Sequence, residues 1–162
     1  MLREMTIFKT LFLVSVAVWV GGLLFFVAVA TPAAFRSLQR ETASKFLSSL
    51  FPSADRWFLF WSLTACLSLF LFFRGRHLDF PSLLLELPTG FAFLLTYYAA
   101  WILHPQIREL KRKMNLPEFK DSAHLTTIEW AFRRQHRLSV ALSLMTLGLG
   151  LFVLALIPRF LR

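Results

Sequence analysis

The sequence predicts an all-α integral membrane protein: an antiparallel four-helix transmembrane bundle with an interfacial amphipathic helix, and with helices three and four extended beyond the bilayer. Three observations predict it. Of 162 residues, 57 % are hydrophobic and only 17 % are charged, against roughly 25 % charged in a typical soluble domain. Several runs are long and apolar enough to cross a hydrocarbon core about 30 Å thick. The connections between those runs are short or carry helical patterns of their own. A soluble domain of this size could not cover so much apolar surface with so few charges. That excludes a soluble enzyme, a secreted disulfide scaffold and a nucleic-acid module. Residues 1–162 read as a single transmembrane domain.

The first span, 11–30, runs from Leu11 to Ala30 without a charge, and at 1.5 Å per residue it is about 30 Å long. Ala28-Val29-Ala30 has the form of a signal-peptide cleavage site. The apolar run exceeds a signal core of roughly 7–15 residues, so a retained helix is expected. The second span, 57–73, can be capped by Ser53 and anchored at the interface by Trp57 and Trp61. The third, 80–103, opens at Asp79-Phe80-Pro81 and stops before His104-Pro105. The fourth, 138–157, is again free of charge and is closed by Pro158 and Arg159. About six residues join spans two and three, which forces an antiparallel hairpin.

Between spans one and two, residues 39–51 place Ala43, Phe46, Leu47, Leu50 and Phe51 on one helical face. This predicts an amphipathic helix lying in the interface, across the base of the bundle. Ile107, Leu110 and Met114 form a stripe beyond Pro105, and Leu125, Ile128 and Phe132 form another before span four. They predict extensions of helices three and four that pair outside the bilayer, with a turn at Asn115-Leu116-Pro117.

The net charge is +9, from 18 Lys and Arg against 9 Asp and Glu. The connections 31–56 and 104–137 hold 12 of the 18 basic residues. The positive-inside rule then makes these loops cytoplasmic and both termini external, as expected of a multi-pass protein of a bacterial inner membrane. Arg108, Lys111, Arg112, Lys113, Arg133, Arg134 and Arg137 form a surface for anionic headgroups or a partner. Each basic residue near such a membrane contributes about 1 kcal/mol of attraction. Nucleic acid is not an expected partner. The single cysteine, Cys66, allows no intrachain disulfide.

Three groups of residues can carry chemistry or assembly. Glu86 is an acidic residue well inside an apolar run, and Lys9 and Arg159 approach from the same face, so an intramembrane polar site is expected there. Pro88, followed by Thr89-Gly90, makes a local bend easier. His104 and His136 end span three and open span four at similar depth, where two imidazoles could ligate a metal or haem b. Ala17, Gly21, Gly22, Gly148 and Gly150 offer small surfaces for close helix packing. No glycine-rich phosphate loop, serine triad, paired carboxylates or metalloprotease helix is evident in the sequence.

Trp19-Val20-Gly21-Gly22 with Leu23-Leu24-Phe25-Phe26, then Thr31-Pro32-Ala33-Ala34-Phe35-Arg36, Leu50-Phe51-Pro52 and His136-Arg137-Leu138-Ser139-Val140 recur in order along the chain. Together they resemble the transmembrane protein 205-like family, catalogued as domain of unknown function 4149. The resemblance implies four spans and no agreed activity. The Trp-Val-Gly-Gly element is more distantly similar to one in copper-resistance D proteins and HemJ-type protoporphyrinogen oxidases, of which the HemJ type carries haem. The first helix here has no histidine. The sequence thus reads as a non-catalytic accessory or scaffold subunit of a larger membrane complex, with a membrane-protein partner or a homo-oligomer expected. The alternatives are a haem- or metal-binding protein of electron transfer or haem metabolism, and a small-solute or ion permease using Glu86.

Overall fold

The computed structural model describes residues 2–74, 80–116 and 124–160. They form α1 (Leu2–Phe25), α2 (Thr31–Ser37), α3 (Arg40–Phe73), α4 (Phe80–Tyr98), α5 (His104–Met114) and α6 (His124–Phe160). Single π-helical turns at Phe26–Ala30 and Ala99–Leu103 carry α1 into α2 and α4 into α5. Four helical rods long and apolar enough to cross a membrane result, at Thr6–Ser37, Arg40–Phe73, Ser82–Met114 and Leu125–Arg159. The expected four-helix membrane protein is therefore observed. The 75–79 connection, with Arg76 and Asp79, lies outside the described residues, as do Pro117, Lys120 and Arg162.

Neighbouring rods run antiparallel. Gly22 faces Phe58 while Phe26 meets Phe51. Cys66 reaches Thr89 while Lys111 reaches Ser44. Gln106 meets Gln135 beyond the apolar spans. α5 packs on α6 as expected, with both apolar stripes half-buried between them.

Two expectations are corrected. Residues 39–51 do not form a separate interfacial helix across the base. They are the first half of α3, which continues through Pro52 to Phe73 and runs lengthwise beside α5. Helix continuation carries these residues within one rod, and of their apolar face Ala43 and Leu47 are buried against α1 and α2 and Phe51 is half-buried, while Phe46 and Leu50 are exposed. Likewise residues 31–37, expected as part of a connection, continue the first rod through Pro32, while the helix passes Pro105 as the stripe beyond it predicts. A proline ring presses on the carbonyl four residues back and offers no N–H. At both sites the preceding turn widens to π, so that the Thr31 N–H donates to the Phe26 carbonyl and the His104 N–H to that of Ala99. The Thr31 hydroxyl donates to the same Phe26 oxygen at 2.9 Å. The helix continues past each proline, and the residue before each proline is turned into the bundle.

The solid core lies toward the less basic end. Phe12, Val16, Trp19, Val20, Leu69, Leu85 and Val153 are its largest members. Of the small polar side chains buried there, Ser68 donates to the Thr64 carbonyl at 2.6 Å and Thr89 to that of Leu85 at 2.7 Å, each within its own helix, while Ser15 Oγ has no hydrogen-bond partner among the described residues. The five small residues divide. A Cβ on Gly150 would overlap Val20, and one on Gly22 would touch Phe58, whereas Gly21 and Gly148 have open space around them and Ala17 is exposed. α1 and α6 thus close on each other at Gly150. Gly150→Val should cost about 1–3 kcal/mol through overpacking. Gly21→Ala should be tolerated, and denaturant titration in mixed micelles distinguishes the two.

Candidate functional site

Toward the basic end the rods enclose a cavity of about 400 Å³. Its walls run from Trp19 to Phe35 along α1 and α2, and from Phe132 to Thr146 along α6. These are lengths of about 24 and 21 Å at the helical rise, so the cavity is an elongated channel. Its deep end is formed by Trp19, Leu23, Phe58 and Leu142, and its basic end by Ser44, Ser48, Arg108 and Lys111. Of the lining residues only Phe35, His136, Val140 and Leu144 are exposed. All four lie on α2 or α6, so the cavity wall reaches the outer surface of the bundle at these helices.

Midway along the channel, His104 joins three helices. Its Nδ1 lies 2.8 Å from Asp55 Oδ1 and 2.9 Å from Oδ2, and its Nε2 lies 2.9 Å from Ser139 Oγ. A carboxylate only accepts, so Nδ1 carries the hydrogen and the Nε2 lone pair receives the Ser139 hydroxyl. The Asp55 and His104 side chains are 11 % and 13 % exposed, low enough for the bonds to act in a weak dielectric. Phe51 packs on the imidazole with ring centroids 5.5 Å apart. The π turn ending at Leu103 sets the direction from which His104 enters the channel.

Arg108, one turn on from His104, places Nη1 3.9 Å from Asp55 Oδ2, and that buried nitrogen has no hydrogen-bond partner among the described residues. Lys111 donates to the Ser44 carbonyl at 3.1 Å, to Ser44 Oγ at 2.8 Å and to Ser48 Oγ at 2.7 Å. The ammonium is held at the channel end by three oxygens without a carboxylate, so its charge is not neutralised. Burial, and then the Lys45 ammonium, lower its pKa from the ordinary lysine value. Arg112 differs: it forms a two-pronged pair with Glu109, which lowers the carboxyl's pKa.

The other sequence-derived sites fare unequally. Glu86 is half-buried on α4 away from the channel, and no ion pair joins it to Lys9 or Arg159 among the described residues. His136 lines the same channel as His104 but stacks on Phe132, with ring centroids 6.0 Å apart. Among the described residues no group of three or more His, Cys, Asp and Glu side chains is placed to hold a metal ion. Of the basic surface, Arg133 pairs with Glu129, Arg134 lies over the Trp130 ring, and Lys113 and Arg137 are exposed.

Asp55 and Ser139 are site residues that sequence reasoning passed over. They stand 49 and 35 positions from His104, so no local motif announces them. The available signal was depth: Asp55, His104 and Ser139 all fall at the basic border of their spans. Removing the imidazole leaves Asp55 with only a distant cation, so His104→Ala should destabilise the fold by about 3 kcal/mol. Ser139→Ala should cost nearer about 1 kcal/mol. Unfolding in mixed micelles measures both.

A family model described as domain of unknown function (DUF4149) matches residues 14–116, from within α1 to the end of α5. No curated protein and no solved structure matches the chain.

Proposed function

The chain belongs to the DUF4149 family, and from the channel it encloses we propose that it is a membrane protein that takes up one chain of an anionic lipid from the bilayer. The observation that carries this is the order of chemistry along the channel. Walls that are mostly apolar lie at the deep end, where Thr96, Ser143 and Thr146 add hydroxyls; the hydrogen-bonding groups of Asp55, His104 and Ser139 lie in the middle, and the unneutralised Lys111 with the unpartnered Arg108 nitrogen at the end nearest the headgroups. An acyl chain, its linkage and an anionic headgroup follow the same order. In this reading the exposed wall at Val140 is the mouth, and the chain enters there without leaving lipid. The basic loops face the cytoplasm in this reading, following the positive-inside rule.

Native mass spectrometry from mild detergent tests it. The protein should retain one phosphatidylglycerol in preference to phosphatidylcholine, and Val140→Trp, which fills the mouth, should abolish retention. Equal retention of both lipids, or a Val140→Trp protein that holds lipid unchanged, would overturn the reading.

A second reading is haem or metal binding, which the narrower resemblance to copper-resistance D and HemJ-type proteins suggests. It is supported by the Asp55 bond to His104 Nδ1, an arrangement common behind metal-ligating histidines. Against the fit, Nε2 is engaged by Ser139. A Soret band in protein isolated from its native membrane would decide for haem. The accessory-subunit role rests on small size and apolar composition and is compatible with lipid uptake; co-purification of a stoichiometric partner would support it. The permease reading rests on Glu86, which is not part of the channel wall.

A further inference from the structure

The Asp55–His104–Ser139 arrangement has the connectivity of an activated nucleophile: a hydroxyl on one imidazole nitrogen and a carboxylate on the other. Its position in the channel adds to this. Lys111 lies seven residues past His104, about 10 Å along the helix, while the walls toward Trp19 are mostly apolar. An anionic headgroup held by Lys111 and an acyl chain directed toward Trp19 would bring the ester that joins them to Ser139.

We propose that Ser139 is the nucleophile of an intramembrane esterase that cleaves acyl esters of anionic lipids, with His104 as its general base and acid. The proposal rests on the lipid-uptake reading above. Ser139 Oγ forms a bond to the acyl carbon as its proton passes to His104 Nε2. The carbon–oxygen ester bond breaks, and the departing alkoxide takes that proton. Water then adds to the acyl carbon of the Ser139 ester, giving a proton to Nε2. The carbon–Oγ bond breaks, Oγ recovers the proton, and a free fatty acid leaves. No electron donor or acceptor is needed. Asp55 is a positioning residue that holds the imidazole in the tautomer with Nε2 unprotonated. The amides of α6 are committed to their own helix, so negative charge on the tetrahedral oxygen must be met by a side chain. Arg108, with its unpartnered Nη1, is the donor the site has to spare. The family match ends before Ser139, so the assignment stands on geometry alone.

A fluorophosphonate probe tests the proposal on full-length protein in mild detergent, followed by peptide mapping. The expected result is a covalent adduct on Ser139, lost in Ser139→Ala and slowed about 1,000-fold in Asp55→Asn. Asp55→Glu should recover part of the rate, and thermal melting monitored in parallel separates loss of reactivity from loss of fold. Arg108→Gln should slow labelling about 100-fold. With phosphatidylglycerol vesicles the wild type should release fatty acid and Ser139→Ala should not. A folded wild type that forms no adduct on Ser139, or that labels equally in Asp55→Asn, overturns the esterase. If phosphatidylglycerol is still retained in that case, lipid uptake survives. An adduct without selective lipid retention overturns uptake instead.

Discussion

Proline in a long membrane helix is the constraint on which this architecture turns. Without water to take up freed carbonyls, a rod that meets a proline must re-satisfy its backbone internally or break. Here three of the four rods meet one near the basic border: α3 passes Pro52 as an α-helix, whereas the turn widens ahead of Thr31-Pro32 and His104-Pro105. The response keeps the rods continuous, so that the extensions pair beyond the apolar spans. It also re-aims the residue before each proline. One of these is His104, and the link between α3, α5 and α6 is made through its ring.

Packing divides the molecule into a filled half and an open half. Gly150 admits Val20 at the filled end, and Phe12, Trp19 and Leu69 leave no comparable space there. Toward the basic end the apolar contacts of Ala34, Ala43 and Leu47 are joined by polar bonds between helices, those of His104 and Lys111 with their partners. Such bonds are directional and tolerate a gap between helices that dispersion contacts would close. The channel is a result of that division.

Much of the frame was legible in the sequence. Charge-free runs such as 11–30 and 138–157 mark spans unambiguously, because no other element tolerates that many apolar residues in a row. The paired extensions were legible from the stripes at Ile107 and Ile128. The continuity of α3 was not, since Pro52 reads as punctuation when its neighbours in space are unknown. That single misreading placed Asp55 in a loop and hid it as a partner for His104. Glu86 drew attention as a charge inside a span, yet a half-buried position on α4 asks less of its surroundings than the buried Asp55. Ser139 is one of many serines in apolar helices, and only the fold distinguishes it.

The length of the rods has an electrostatic consequence. From Leu103 to Met114, α5 continues about 16 Å past the predicted end of its apolar span. Arg112 and Lys113 near its tip are exposed, while Lys111 is tied into the wall of the channel. At physiological ionic strength mobile ions screen exposed charges beyond about 8 Å. Added salt therefore weakens the pull between the tip and the membrane surface, and leaves the pull of Lys111 on a bound headgroup far less affected. The chain carries two populations of positive charge, and salt concentration tells them apart.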